Sequence, residues 1–85
     1  MISTKVTVAT TATLVLPAED KNRTVYFHNP SGTKIYLGGS NVTTTTGFHL
    51  DSNSSQDFFV PTNEKMYGIV ASSTHDIIVL TPDLD

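Results

Sequence analysis

The chain has 85 residues, a formal charge of −3 and no cysteine. These totals exclude a disulfide framework and a thiolate zinc site. They also speak against a nucleic-acid binder, which carries a basic patch where this chain has only Lys21 and Arg23 close together.

With 14 threonines and 8 serines against 4 alanines and 2 glutamates, the composition favours pleated strands over helices. Residues 1–85 read as one domain. A domain this small buries about 60–65% of its unfolded surface, so its core is thin. With no disulfide, and with three scattered histidines that do not suggest a structural metal, association is the remaining route to stability.

Met1-Ile2-Ser3-Thr4-Lys5 lacks the apolar core of a signal peptide, and no apolar run approaches membrane-spanning length. The expectation is a chain made in a cytoplasm that engages no membrane. Asn22, Asn41 and Asn53 each open an Asn-x-Ser/Thr triplet. Without a leader these read as chance matches in a Thr/Ser-rich sequence.

Along the chain, Ile2, Thr4, Val6 and Val8 alternate with Ser3, Lys5, Thr7 and Ala9, the pattern of a half-buried strand. Residues 1–9 are half apolar, lack proline and carry one charged side chain, Lys5, which suits an edge or arm strand. Ala12, Leu14 and Leu16 resume the alternation, and Pro17 stops it. Residues 18–22 form a charged loop with room for a single helical turn after Pro17.

The segment Arg23–Gly39 is the organising stretch. Val25-Tyr26-Phe27 and Ile35-Tyr36-Leu37 flank Asn29-Pro30-Ser31-Gly32-Thr33, which is dense in turn formers. The simplest expectation is an antiparallel hairpin at the centre of an all-β domain. Gly38-Gly39-Ser40-Asn41 punctuates the chain again, and residues 42–46 read as a short strand or an extended loop. Further strands follow at Phe48–Leu50, Gln56–Val60, Met66–Ala71 and Asp76–Leu80, separated by polar turns. Tyr67, Ile69 and Ala71 are expected on the core face. The continuous run Ile77–Leu80 suits a strand covered on both sides. His75 belongs to the preceding turn, and residues 82–85 to a frayed end.

The fold expected is all-β: a small antiparallel β-sandwich or barrel, jelly-roll-like, of about eight short strands. Its expected core is Val6, Val8, Leu14, Leu16, Val25, Phe27, Ile35, Leu37, Phe48, Leu50, Phe58, Ile69, Ile77 and Val79.

Chemistry is scarce. His49 and Asp51 stand at i and i+2, on one face of a strand, and such a pair can ligate a metal or relay a proton. A metal site needs three or four converging ligands, so the plainer reading is a solvent-facing pair unless copies meet on a symmetry axis. His28 reads as a surface or hydrogen-bonding residue, and His75 as part of a turn. The serines lack a nucleophile elbow, Gly38-Gly39 lacks the Lys and helix of a phosphate loop, and the carboxylates Asp51, Asp57, Glu64 and Asp76 fall in turns or at strand beginnings. No catalytic, metal or cofactor residues are therefore assigned, and the chain is expected not to be an enzyme. Tyrosine pairs apolar area with a polar tip, which suits interfaces. Tyr67 is expected in the core, whereas Tyr26 and Tyr36 fit core and interface equally.

Arg23-Thr24-Val25-Tyr26-Phe27-His28-Asn29, Ile35-Tyr36-Leu37-Gly38-Gly39-Ser40-Asn41-Val42-Thr43, Gly47-Phe48-His49-Leu50 and Met66-Tyr67-Gly68-Ile69-Val70-Ala71 together resemble small all-β accessory virion proteins of tailed bacteriophages. The resemblance spans most of Arg23 to Ala71 and departs at Gly68, at Val70 and in the threonine run 43–46. It implies a structural virion protein, foremost a capsid decoration protein. The alternative is a carbohydrate- or receptor-binding module of a tail or fibre, disfavoured by the absence of tryptophan. The implied partners are other copies of the chain, as a trimer by the same resemblance, and a major capsid or other virion protein. The residues expected at those interfaces are Ile2, Val6 and Val8 of the first strand, with Tyr26 and Tyr36.

Overall fold

The computed structural model describes residues 1–82, so most of the expected frayed end lies outside the described residues. Eight strands form among the described residues: β1 (Ile2–Val8), β2 (Thr13–Leu16), β3 (Arg23–His28), β4 (Ile35–Gly38), β5 (Phe48–Leu50), β6 (Ser55–Val60), β7 (Met66–Ile69) and β8 (His75–Thr81). They make two antiparallel sheets, a first of order β1-β8-β3-β6 and a second of order β2-β7-β4-β5. This is the strand order of an eight-stranded jelly roll, with its double Greek key.

One consequence corrects the expected central hairpin. β3 lies in the first sheet and β4 in the second, so residues 29–34 arch between sheets instead of turning within one. The reason is local. Asn29 is fully buried, and its amide donates to the carbonyls of Thr33 (2.7 Å) and Leu50 (2.9 Å). Its Oδ1 accepts from the Ser31 N–H (3.0 Å) and the Ser31 hydroxyl (2.7 Å). Its backbone N–H donates to Ser54 O (2.9 Å), and its carbonyl accepts from the Asn53 N–H (2.7 Å). These bonds hold the arch against the β5–β6 turn and leave it no ladder to form with β4.

At the other end of β3, Arg23 is also buried, at 6% exposure. Its Nη2 donates to Pro17 O and to Glu64 O (3.4 Å). Asn22 Oδ1 accepts from the Thr62 N–H and hydroxyl, both at 2.9 Å, and the Asn63 N–H donates to Glu19 O. Between these two polar ends, Val25 and Phe27 are fully buried.

The core is Val8, Val15, Leu16, Val25, Phe27, Ile35, Leu37, Leu50, Val60, Val70, Ile77 and Val79, with Val6, Phe58 and Met66 packed against it. Much of the expected core is here, with corrections at four strands. In β2, Leu14 pairs with Tyr67 and Leu16 with Met66, so Val15 is an extra residue in a β-bulge. The bulge turns Val15 and Leu16 inward together and leaves Leu14 exposed. In β7 the inward residues are Met66 and Gly68, with Val70 just beyond, while Tyr67 and Ile69 face outward and are half-buried. A Cβ on Gly68 would meet Val15 Cγ1 at 3.3 Å and both Val8 γ carbons at 3.5 Å. The bulged Val15 occupies the space that a side chain at 68 would need. In β8 the apolar run is covered on one side only, leaving Leu80 exposed and Ile78 half-buried on the outer face. His75 belongs to this strand instead of the preceding turn. Phe48 points inward from edge strand β5 but stays half exposed, in edge-to-face contact with Phe58 (5.3 Å), which contacts Phe27 in turn (5.7 Å).

The threonine run is a turn with a built-in cap. Thr43 Oγ1 accepts from the N–H groups of Thr45 and Thr46, Thr46 Oγ1 accepts from the Thr43 N–H, and the Gly47 N–H closes on Thr43 O. This reciprocal pattern is a threonine version of the capping box. Gly47 is required there, because a Cβ would stand 2.6 Å from Tyr36 Cβ.

Two stability measurements check this account. Leu37, at 1% exposure, should lose about 2–5 kcal/mol on truncation to alanine in a urea titration. Asn29→Asp should destabilise by more than the 1–3 kcal/mol typical of one unsatisfied buried group. It would aim a carboxylate at two carbonyls in a fully buried position. Part of that loss should return on acidification, because burial raises the pKa of the new carboxyl, and protonation removes its charge.

Candidate functional site

Three surfaces are chemically distinctive. The first is the free edge of β1. This strand pairs with β8 from Ile2↔Thr81 to Val8↔His75, and among the described residues no strand pairs with its other side. Its one charged side chain, Lys5, stands 3.9 Å from Asp76, which also accepts from the Thr7 hydroxyl at 2.8 Å. Both contacts lie on the outer face and leave the strand's backbone edge uncovered. Met1 and Ile2 are 65% and 50% exposed.

The second surface is the outer face of the first sheet. Tyr26 sits opposite Leu80 on one side and Asp57 on the other, and Phe59, two residues beyond Asp57, is its diagonal neighbour. Diagonal neighbours in a sheet stay within reach of aromatic side chains. Phe59 is 65% exposed and Tyr26 46%, so the two rings and Leu80 form an apolar stripe in solvent.

The third is an open cleft of about 600 Å³ on the second sheet, lined by Thr33, Lys34, Tyr36, His49, Asp51 and Ser52. Strand pairing places Tyr36 beside His49, with ring centroids 6.4 Å apart and planes at 65°. His49 Nε2 lies 3.9 Å from Asp51 Oδ1, so the i, i+2 pair does share a face. Among the described residues no group of three His, Cys, Asp or Glu side chains converges on one point. The clasp around Asn29 ties the two lining segments together, through Asn29 to Thr33 O and Leu50 O and through the Ser52 hydroxyl to Ser31 O.

The five expected interface residues do not form one patch. Ile2, Val6 and Val8 point to the inner side of β1, Tyr26 to the outer face of the first sheet, and Tyr36 to the outer face of the second. Val8 has no exposed surface, because it packs beside Val15 and Ile77 in the core, and Val6 is half-buried. Ile2 and Tyr26 are exposed, and Tyr36 lines the cleft. His28 bonds Ser55 Oγ at 2.8 Å, and His75 begins β8. Sequence reasoning missed Phe59 and Leu80 on the outer stripe. The signal was available, since adjacent apolar residues such as Phe58-Phe59 in a strand must face opposite sides.

Compared with known proteins, the chain matches no protein-family model, no curated protein and no solved structure.

Proposed function

We propose that this chain is a structural virion protein of a tailed bacteriophage, of the capsid-decoration kind, which works by association and not by catalysis. The observation that carries this reading is the free edge of β1. A long strand edge without proline, guarded by a single lysine already engaged with Asp76, is a template for pairing with another chain. The apolar stripe of Tyr26, Phe59 and Leu80 adds hydrophobic area beside it. The thin core of a cysteine-free chain gives association an energetic purpose, and the resemblance of Arg23–Ala71 supplies the biological setting. On this reading the chain is made in the host cytoplasm, joins the particle as a symmetric oligomer, a trimer by that resemblance, and contacts a major capsid or other virion protein.

A second reading is favoured by the cleft. The rings of Tyr36 and His49 form a corner, with a carboxylate at Asp51 and an ammonium at Lys34 beside it. Such a corner offers a ring face to a sugar and charged groups to its hydroxyls, as a receptor-binding module of a tail or fibre would.

Mass spectrometry of purified particles with copy counting should find the chain in many copies per particle. Absence from particles would overturn the decoration role. Sedimentation of the isolated protein should show an oligomer, and deletion of residues 1–9 should reduce oligomer size or capsid attachment. A monomer at high concentration would contradict self-association. On a glycan array, binding lost on Tyr36→Ala would favour the second reading over the first.

A further inference from the structure

The two lateral openings of the sandwich differ. On the β5–β6 side, the rings of Phe48, Phe58 and Phe27 close the gap between the sheets. On the β1–β2 side there is instead a cavity of about 200 Å³, walled by Thr4 of β1, by Val15, Leu16 and Pro17 of β2 and its exit, and by Val79 and Thr81 of β8. Arg23 lines it as well, and so does Glu19 from the loop.

Arg23 is the unusual member. The residue is more than nine-tenths buried, yet it donates only through Nη2, to Pro17 O and Glu64 O, and its Nε is buried with no hydrogen-bond partner. Among the described residues no carboxylate lies within ion-pairing distance of it. A buried guanidinium with idle donors is costly, and a carboxylate is the group that best repays the cost, through charge-assisted and bidentate bonds.

We propose that this cavity is a carboxylate-binding site, filled when an extended acidic segment of a partner protein adds to the free edge of β1. The inference rests on the assembly reading and names the chemistry of its partner. In β-strand addition, main-chain bonds supply affinity and pockets for alternate side chains supply specificity. Here the edge is β1. The pocket begins at Thr4, on the inner side of that strand, so a segment paired with β1 sends every second side chain towards it. The apolar walls at Val15, Leu16 and Val79 accept the methylenes of a glutamate, and Thr4 and Thr81 complete the lining with polar residues. Glu19 at the lining repels an incoming acid and so weakens the site.

The test uses the full chain, labelled with ¹⁵N, and an end-blocked heptapeptide of alternating Thr and Val with one central Glu. The control peptide carries Gln instead. The Glu peptide should bind with amide shifts concentrated on β1 and around Arg23, and the Gln peptide at least about tenfold more weakly. Glu19→Gln, at an exposed loop position, should tighten the Glu peptide. Arg23→Gln should abolish the preference for Glu. If that variant fails to fold, Thr4→Phe should abolish binding by filling the cavity while residue 23 stays an arginine. Equal affinity for the two peptides, or shifts away from β1, would overturn the proposal. So would propionate shifting Arg23 while no peptide binds, which would leave a site for free small acids only. Binding of the Glu peptide that appears only in the double variant Asp83→Asn, Asp85→Asn would assign the cavity to the chain's own acidic end instead. Particle mass spectrometry is independent of these results. A chain found on virions that ignores the Glu peptide keeps the assembly reading and loses this one.

Discussion

The fold depends on one buried amide. Asn29 ends β3, spends both side-chain donors on the carbonyls of Thr33 and Leu50, and receives two bonds on its side-chain oxygen from Ser31. A buried polar group this fully satisfied specifies geometry, because every alternative path for the chain leaves part of it unpaired. The path it specifies is the arch from the first sheet to the second. Without that arch, β3 and β4 would be free to pair as the simple hairpin that their sequences suggest. Arg23 performs the complementary task at the start of β3, holding the β2–β3 and β6–β7 connections by their carbonyls. β3 is thus a short apolar strand with a polar clamp at each end.

The surfaces follow from this frame. The Asn29 clasp ties together the two segments that line the Tyr36–His49 cleft. The strand order leaves β1 and β2 on one lateral side and β5 and β6 on the other, as the Phe48–Phe58 contact shows. Aromatic rings seal the second side, and a cavity with an under-bonded arginine remains at the first. The proposed association uses the side where the sandwich is least complete, beside the edge strand β1.

The strand set was legible because period-2 alternation and Pro/Gly/Asn/Ser punctuation are local signals. Ile2–Val8, Arg23–His28 and Ile35–Gly38 follow them closely. Three things were not local. The bulge at Val15 breaks the alternation with no residue type to announce it, and the inward position of β7 that it faces is a glycine, Gly68, which an apolar pattern does not mark. The arch depends on Asn29 meeting Leu50 across 21 positions of sequence, which a turn-rich motif cannot reveal. The threonine run reads as a short strand or an extended loop, yet its hydroxyls cap its own backbone into a turn, a competition that Thr side chains can win. For the surfaces, His49 and Asp51 were legible by spacing. The buried guanidinium was not, because an arginine opening a strand is ordinarily a solvated residue.

Native-state hydrogen exchange tests the clamp most directly. The Asn29 and Asn53 amides lie outside the strands but donate to Ser54 O and Asn29 O in the clasp. If the buried amide organises the fold, both should exchange with the slowest set, together with the core amides of Val25 and Phe27. Exchange of these two amides at the rate of ordinary exposed turns, while β3 stays protected, would contradict the account.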